Sequence, residues 1–217
     1  MGREILMPWQ KQVIQLVARA AEVSSFYLTG GTALAGYYLH HRRSEDLDFF
    51  SFEEFELAAV EAAAKRIKEE LEADEMRFFR RYDRRQFFYR QGDQEYKVEF
   101  TQYPFKPLEP PNLFDGMRVD SKFDIAVNKL MTVVERFDPK DFVDLYFLLQ
   151  EYPLERVREG VREKFGMKLD PLVVGSELAQ VRGIYALPKM TVELTVQELK
   201  DFFADLVKTL RAEVLEE

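Results

Sequence analysis

Asp46 and Asp48 are the residues of this chain whose types and spacing most directly invite chemistry. They alternate with Leu47 and Phe49 in the run DLDFF. A strand of period two puts both carboxylates on one face and both apolar side chains on the other. Two carboxylates about 5 Å apart repel by a few kcal/mol at an effective dielectric of about 20, a cost that a cation between them removes. Mg2+ takes hard oxygen ligands and is often held by one or two carboxylates together with substrate phosphates. The alternative is an exposed edge strand showing its acids to water. Glu99 lies in a second alternating run, in which Lys97, Glu99 and Thr101 oppose Tyr96, Val98 and Phe100. On one sheet Asp46, Asp48 and Glu99 could converge, and three carboxylates suit metal ions flanking an in-line phosphoryl displacement. An ordinary ion pair between Glu99 and Lys97 is the competing reading.

Gly30-Gly31-Thr32 stands between a strand-like run and a helix-like one. Glycines there let the backbone approach a ligand closely, and the first N–H groups of the following helix suit an anion such as a phosphate. A tight turn with Thr32 as a helix cap explains the same residues. Lys129 and Arg136 are seven apart and share a helix face, with the Lys129 stem on apolar surface and its ammonium able to reach into a cleft. The alternative is a solvated charged stripe. Asp141 and Asp144 follow on the next helix, where acids of the first turn favour the helix dipole. The segment 77–90 (RFFRRYDRRQFFYR) carries six arginines and one acid, a local net charge of +5 that leaves −13 on the other 203 residues. Arginines interleaved with Phe and Tyr can bind phosphate and stack bases, which makes Arg77, Arg80, Arg81, Arg84 and Arg85 candidates for an RNA contact. Arginines packed over aromatics at a sheet edge would look the same.

The elements that must position these groups are legible as periodicities. Pro8 opens a helix to about residue 22. Strand-like runs cover 25–29 and 46–50, with a helix over 32–40 between them. A long amphipathic helix covers 53–71, with Phe55, Ala59, Ala63, Ile67 and Leu71 in one stripe. Runs at about 75–82, 86–91 and 95–102 read as strands, with a hairpin turn at Gln91-Gly92-Asp93-Gln94. Four prolines between 104 and 111 break the pattern. Beyond about residue 120 everything reads as helix, opened in turn by Ser121 with Asp124, by Asp138-Pro139, by Asp170-Pro171 and by Thr195 with Glu198. The expected fold class is therefore α+β: a mixed sheet flanked by helices over residues 1–115, then a helical bundle over 116–217 that closes a cleft against it.

Composition narrows the chemistry. The chain has 217 residues, no cysteine, two histidines and a net charge of −8. Without cysteine there is no disulfide framework, no thiolate zinc site and no thiol nucleophile, so metal chemistry falls to carboxylates. No apolar run is long enough for a membrane span and Met1 begins no signal-peptide pattern, so the expected location is the cytoplasm, with no membrane partner.

The string GGTALAGYYLHHRRSEDLDFF resembles the AbiEii/AbiGii toxin family of nucleotidyltransferases, within the polymerase-β-like superfamily. The matching parts are Gly30-Gly31-Thr32-Ala33-Leu34 and Arg42-x-Ser44-x-Asp46-Leu47-Asp48-Phe49-Phe50. KVEF, with Glu99 in place of the more usual aspartate, is similar to the superfamily's third carboxylate strand. KLMTVVERFDPKDFVDLYFLL is similar to its later motif through Lys129, Arg136, Asp141 and Asp144. The resemblance covers about residues 26–150 and departs from the superfamily in having Thr32 where serine is usual. It implies a nucleotidyltransferase fold and transfer of NMP from an NTP to an acceptor hydroxyl. Asp46, Asp48 and Glu99 would hold Mg2+ or Mn2+, and Asp46, Asp48, Glu99 and Lys129 would form the catalytic set. Gly30, Gly31, Thr32, Arg42, Ser44, Lys129, Arg136, Asp141 and Asp144 would serve the nucleotide. The resemblance further implies an RNA or tRNA acceptor and a cognate antitoxin protein as partner. Phosphoryl transfer to a protein from the same site, and a non-catalytic module binding a partner protein, are the other functions these residues allow.

Overall fold

The alternating runs pair into one seven-stranded sheet among the described residues. The structure is a computed structural model that describes residues 5–216, with side chains through Arg211. Met1, where no signal-peptide pattern begins, lies outside them. In chain order the elements of the first part are α1 (Pro8–Arg19), β1 (Tyr27–Thr29), α2 (Gly30–Ala33), β2 (Leu47–Ser51), α3 (Leu57–Glu70), β3 (Glu75–Arg81), β4 (Arg84–Gln91), β5 (Gln94–Gln102), β6 (Asn112–Phe114) and β7 (Met117–Val119). Five helices follow: α4 (Lys122–Glu135), α5 (Pro139–Leu149), α6 (Leu154–Phe165), α7 (Pro171–Leu178) and α8 (Val196–Glu216). The sheet order is β3-β4-β5-β2-β1-β7-β6. β2 with β5 and β1 with β7 pair in parallel, and the remaining neighbours are antiparallel. A mixed sheet with helices and a helical C-terminal part is the expected fold class.

Contacts divide the chain into two compact units, Met1–Tyr38 with Arg43–Ser121 and Leu39–Arg42 with Lys122–Glu217. The sequence boundary at 115/116 falls inside the β6–β7 hairpin, because Asp115-Gly116 is its turn, with φ of 48° and 86° at the two residues. Asp-Gly is the favoured dipeptide for such a turn, and only glycine takes so positive a φ without strain. β7 then pairs with β1 at Leu28↔Val119, which carries the sheet past residue 115. The excursion of Leu39–Arg42 has a local cause: Arg42 bridges Met190 in antiparallel fashion and Thr191 N–H donates to the His41 carbonyl at 2.9 Å.

Other boundaries shift by a few residues. The helix expected over 32–40 begins at Gly30 and passes into a π-helical stretch, Leu34–Leu39. Such wide turns cluster near functional sites. The strand expected from 25 begins at Tyr27, and the helix expected from 53 begins at Leu57. The helix starts read from Asp138, Asp170 and Thr195 are seen as real caps. Asp138 and Asp170 accept from the N–H groups of Lys140 and Leu172 at 2.9 and 2.7 Å, and Glu198 accepts from Thr195 N–H at 2.7 Å. Asp124 accepts from Lys164 Nζ at 2.7 Å, an ion pair with both side chains buried.

The apolar sheet face carries Leu47, Phe49, Phe87, Tyr89, Val98 and Phe100, all buried. Phe49 stacks on Phe100 with ring centroids 5.3 Å apart, and Phe100 meets Phe87 edge-on. The buried stripe of α3 (Val60, Ala63, Ala64, Ile67) lies on this side, where the Tyr89 hydroxyl donates to the Ala64 carbonyl at 3.2 Å. Because Phe100 fixes β5 against both β2 and β4, Phe100→Ala should cost about 3–5 kcal/mol of unfolding free energy by urea titration. A loss below about 1 kcal/mol would show that this face does not hold the register.

Candidate active site

The opposite face of the sheet is polar, and its order follows from strand register. Residues directly opposite one another share a face. One rung runs Gln86–Glu99–Asp48–Thr29 across β4, β5, β2 and β1. The next contains Phe88 and Lys97, with Asp46 just before β2 on the same side. β2 lies in the interior of the sheet, so Asp46 and Asp48 are not the acids of an exposed edge strand.

Glu99 is 1% exposed. Its Oε2 accepts from Gln86 Nε2 at 2.7 Å and its Oε1 from Thr101 Oγ1 at 2.9 Å, while Arg84 Nη1 stands 3.5 Å away. Lys97 Nζ lies 3.3 Å from Asp46 Oδ2 and 3.5 Å from Glu99 Oε2. Burial by itself lowers the pKa of this ammonium, but the fields of Asp48, Asp46 and Glu99 together raise it. The ion pair of Glu99 with Lys97 is therefore present, and Asp46 shares the same ammonium. Asp48 also reaches the glycine turn. A Cβ on Gly30 would stand 2.8 Å from Asp48 Oδ2, and Gly30 has a φ of 72°, so the missing side chain makes room for this carboxylate. Thr32 is buried and donates its hydroxyl to the Asp46 carbonyl, fixing the backbone of the first aspartate. The Ser44 carbonyl accepts from Gln10 Nε2 at 2.9 Å.

These residues fit a divalent cation in donor chemistry. They are hard oxygen donors on one sheet face, in a place that already stabilises positive charge. Among the described residues no three His, Cys, Asp or Glu side chains are gathered as a ligand set; Asp46 and Glu99 share an ammonium instead.

The second group lies wholly within the helical unit. Asp144 is fully buried and takes three partners: Arg42 through Nε and Nη2 at 2.6 and 2.7 Å, Lys129 Nζ at 2.6 Å and His41 Nε2 at 2.8 Å. Lys129 also meets Asp141 Oδ1 at 2.6 Å, and Arg136 meets Asp141 Oδ2 at 3.0 Å. Arg136 is 59% exposed, whereas Arg42 is buried. Lys129 is thus no part of a solvated stripe but is locked between two aspartates, while Arg136 remains largely exposed. Burial opposes ionisation of Asp144, yet Lys129 and Arg42 beside it hold its carboxyl well below the usual range. The same aspartates raise Lys129 against the effect of burial. Burial lowers His41, more than its bond to Asp144 raises it.

The arginine segment splits between the two sheet faces. Arg81 faces Arg84, and Arg84 faces Thr101, on the carboxylate side with Arg77 and Phe79. Arg80 faces Arg85 on the other side, where Arg85 lies 5.5 Å over the Phe55 ring. Arg77 pairs with Glu95. Packing over an aromatic ring is seen for Arg85 on Phe55 and for Arg77 on Phe88, the latter at 5.7 Å. Sequence reasoning named Lys97 only as a partner of Glu99 and did not single out Gln86 or His41. Alternation placed Lys97 on the Glu99 face, but only the β2–β5 register puts it beside Asp46.

The mixed sheet, with a helix opening at Gly30 beside alternate aspartates, shares its fold with solved nucleotidyltransferases. A putative nucleotidyltransferase from H. pylori superposes with a TM-score of 0.62 at 16% identity, covering 96% of this chain and 94% of that one. JHP933 from Helicobacter pylori superposes at 0.57 with 20% identity over 96% and 93%. MenT4, a nucleotidyltransferase toxin from Mycobacterium tuberculosis, superposes at 0.56 with 16% identity over 91% and 81%. Protein aq_aa25 of Aquifex aeolicus (strain VF5) is 26% identical over 205 residues, covering 92% of this chain and 94% of its own. The chain belongs to the family described as nucleotidyl transferase AbiEii toxin, type IV TA system, whose model matches residues 15–214. It is a nucleotidyltransferase. No helix among its described residues is long and apolar enough to cross a membrane.

The charge network of the helical unit has a pH signature. A depressed carboxylate such as Asp144 contributes stability that is complete above the unfolded value of about 4 and is lost as pH falls. A histidine lowered by burial likewise contributes stability above its unfolded value of about 6.5 and loses it on acidification. His41 is therefore felt first. The melting temperature should drop between about pH 7.5 and about pH 5.5, and His41→Gln, which can still donate to Asp144, should flatten that window. An unchanged slope in the variant would remove His41 as its cause. Asp144→Asn should cost about 3–5 kcal/mol near neutral pH, because Arg42 and Lys129 stay buried without their shared anion.

Proposed function

We propose that this protein transfers NMP from an NTP to a hydroxyl of an RNA acceptor, with Mg2+ or Mn2+ held by Asp46, Asp48 and Glu99. The observation that supports this most is the rung geometry, in which Asp48 and Glu99 stand side by side with Asp46 one rung away, and Asp46 and Glu99 share one ammonium. A divalent ion bound there supplies neutralisation of charge developing on the triphosphate. Glu99, already accepting at both oxygens, serves to hold position. Gly30 leaves space for Asp48, Gly31 offers its backbone to phosphate oxygens, and Thr32 holds Asp46 in place. In the helical unit, Arg136 has the exposed guanidinium suited to triphosphate oxygens. Lys129, Asp141, Asp144 and Arg42 form the frame behind it. Ser44 is assigned to the segment leading into Asp46. A cognate antitoxin protein is the expected partner.

Incubation with NTPs labelled at the α-phosphate should transfer label to total RNA in the presence of Mg2+, and label at the γ-phosphate should not transfer to any acceptor. Asp46→Ala and Asp48→Ala should each lower the rate by at least about 100-fold. Transfer of γ-label to protein would instead establish a phosphotransferase, and no triphosphate binding by calorimetry would point to a non-catalytic module.

The face assignment sharpens the RNA contact. Arg81 and Arg84 lie on the carboxylate side and Arg80 and Arg85 do not. Replacing Arg81 and Arg84 by Ser should weaken RNA binding and reduce the slope of log affinity against log salt by about 1–2. Replacing Arg80 alone should change it less. Equal effects from both replacements would reject a single RNA-binding face.

A further inference from the structure

Asp46 and Glu99 already share a cation that belongs to the chain, and Asp48 adds its field to it. Lys97 is the residue on the polar face of β5 level with Asp46, and its Nζ spans the gap between the Asp46 rung and the Asp48–Glu99 rung. Glu99 does not need it for its own hydrogen bonding, since Gln86, Thr101 and Arg84 lie within reach. What Lys97 adds is a link between carboxylates that would otherwise repel. Its side chain is 23% exposed, so the ammonium sits at the border of solvent on a flexible stem. Lysine carries a compact charge that can swing through its own rotamers, unlike the planar fork of arginine.

We propose that Lys97 is a positioning residue that occupies the place of the divalent cation between Asp46, Asp48 and Glu99, holds these carboxylates together in the metal-free protein, and must swing out when metal enters. This rests on the reading above that these three residues hold metal. It makes Lys97 a determinant of metal affinity: a metal ion has to displace an attached competitor that is always present.

The test is Mn2+ alone, without nucleotide, titrated by calorimetry into the full chain and into Lys97→Met, Lys97→Arg and Asp48→Asn. Met keeps the apolar stem and removes the charge. The Met variant should bind Mn2+ at least about tenfold more tightly than the wild type, since a like charge a few ångströms from the site is gone. Lys97→Arg should bind no more tightly than the wild type, and Asp48→Asn should lose the heat of this site. In EDTA the Met variant should melt below the wild type, and Mn2+ should close that gap. Wild-type binding with an unchanged or weaker affinity in Lys97→Met overturns the role of Lys97 and leaves the metal reading standing. A Met variant destabilised equally with and without Mn2+ also overturns it. No Mn2+ binding in any variant overturns both.

Discussion

Like charges on adjacent interior strands are the constraint around which the sheet unit is arranged. The parallel pairing of β2 and β5 puts Asp48 directly beside Glu99, one buried and one half-buried, with Asp46 one rung away. Such a grouping costs free energy unless positive charge and hydrogen bonds stand close to it. The surrounding residues meet that need. Gln86 and Thr101 donate to Glu99, Lys97 spans the rungs, and Gly30 yields the space that Asp48 occupies. The apolar reverse face makes the arrangement rigid. Phe49 and Phe100 stack under the residues they alternate with, so a one-residue slip would bury acids and expose rings.

The helical unit solves a related problem by a different route. Asp144 is buried outright and is compensated by two permanent cations, Arg42 and Lys129, and by a bond with His41. Such networks are costly to break at one member and contribute little net stability as a whole. Their value is geometric. Lys129 and Arg42 have their charges fixed by short bonds, while Arg136 pairs with Asp141 and stays 59% exposed. Arg42 is only two residues before Ser44 in sequence, yet it belongs with Asp144 to the helical unit, because Arg42 pairs with the segment at Met190.

Much of the fold was legible because helices and half-buried strands announce themselves by period. The caps at Asp138, Asp170 and Thr195 worked for the same local reason: a side chain three or fewer residues away satisfies the backbone. The β6–β7 hairpin was missed although Asp115-Gly116 marks its turn, because its strands are three residues each and too short to show alternation. The π-helical stretch after Gly30 leaves no distinct period over six residues. In the arginine segment, composition alone could not tell which residues share a face with the carboxylates, since that depends on pairing with β5.

The sequence by itself determined the family, the α+β order of elements, and the face on which Asp46 and Asp48, or Lys97 and Glu99, stand within their own strands. These follow from motif and period-two alternation, which are local. Only the tertiary structure decided that Asp48 lies against Glu99, that Lys97 fills the gap to Asp46, and that Asp144 draws Arg42, Lys129 and His41 to one buried carboxylate. Those outcomes are set by strand register and helix packing between residues 15 to 103 positions apart, where no local period carries the information.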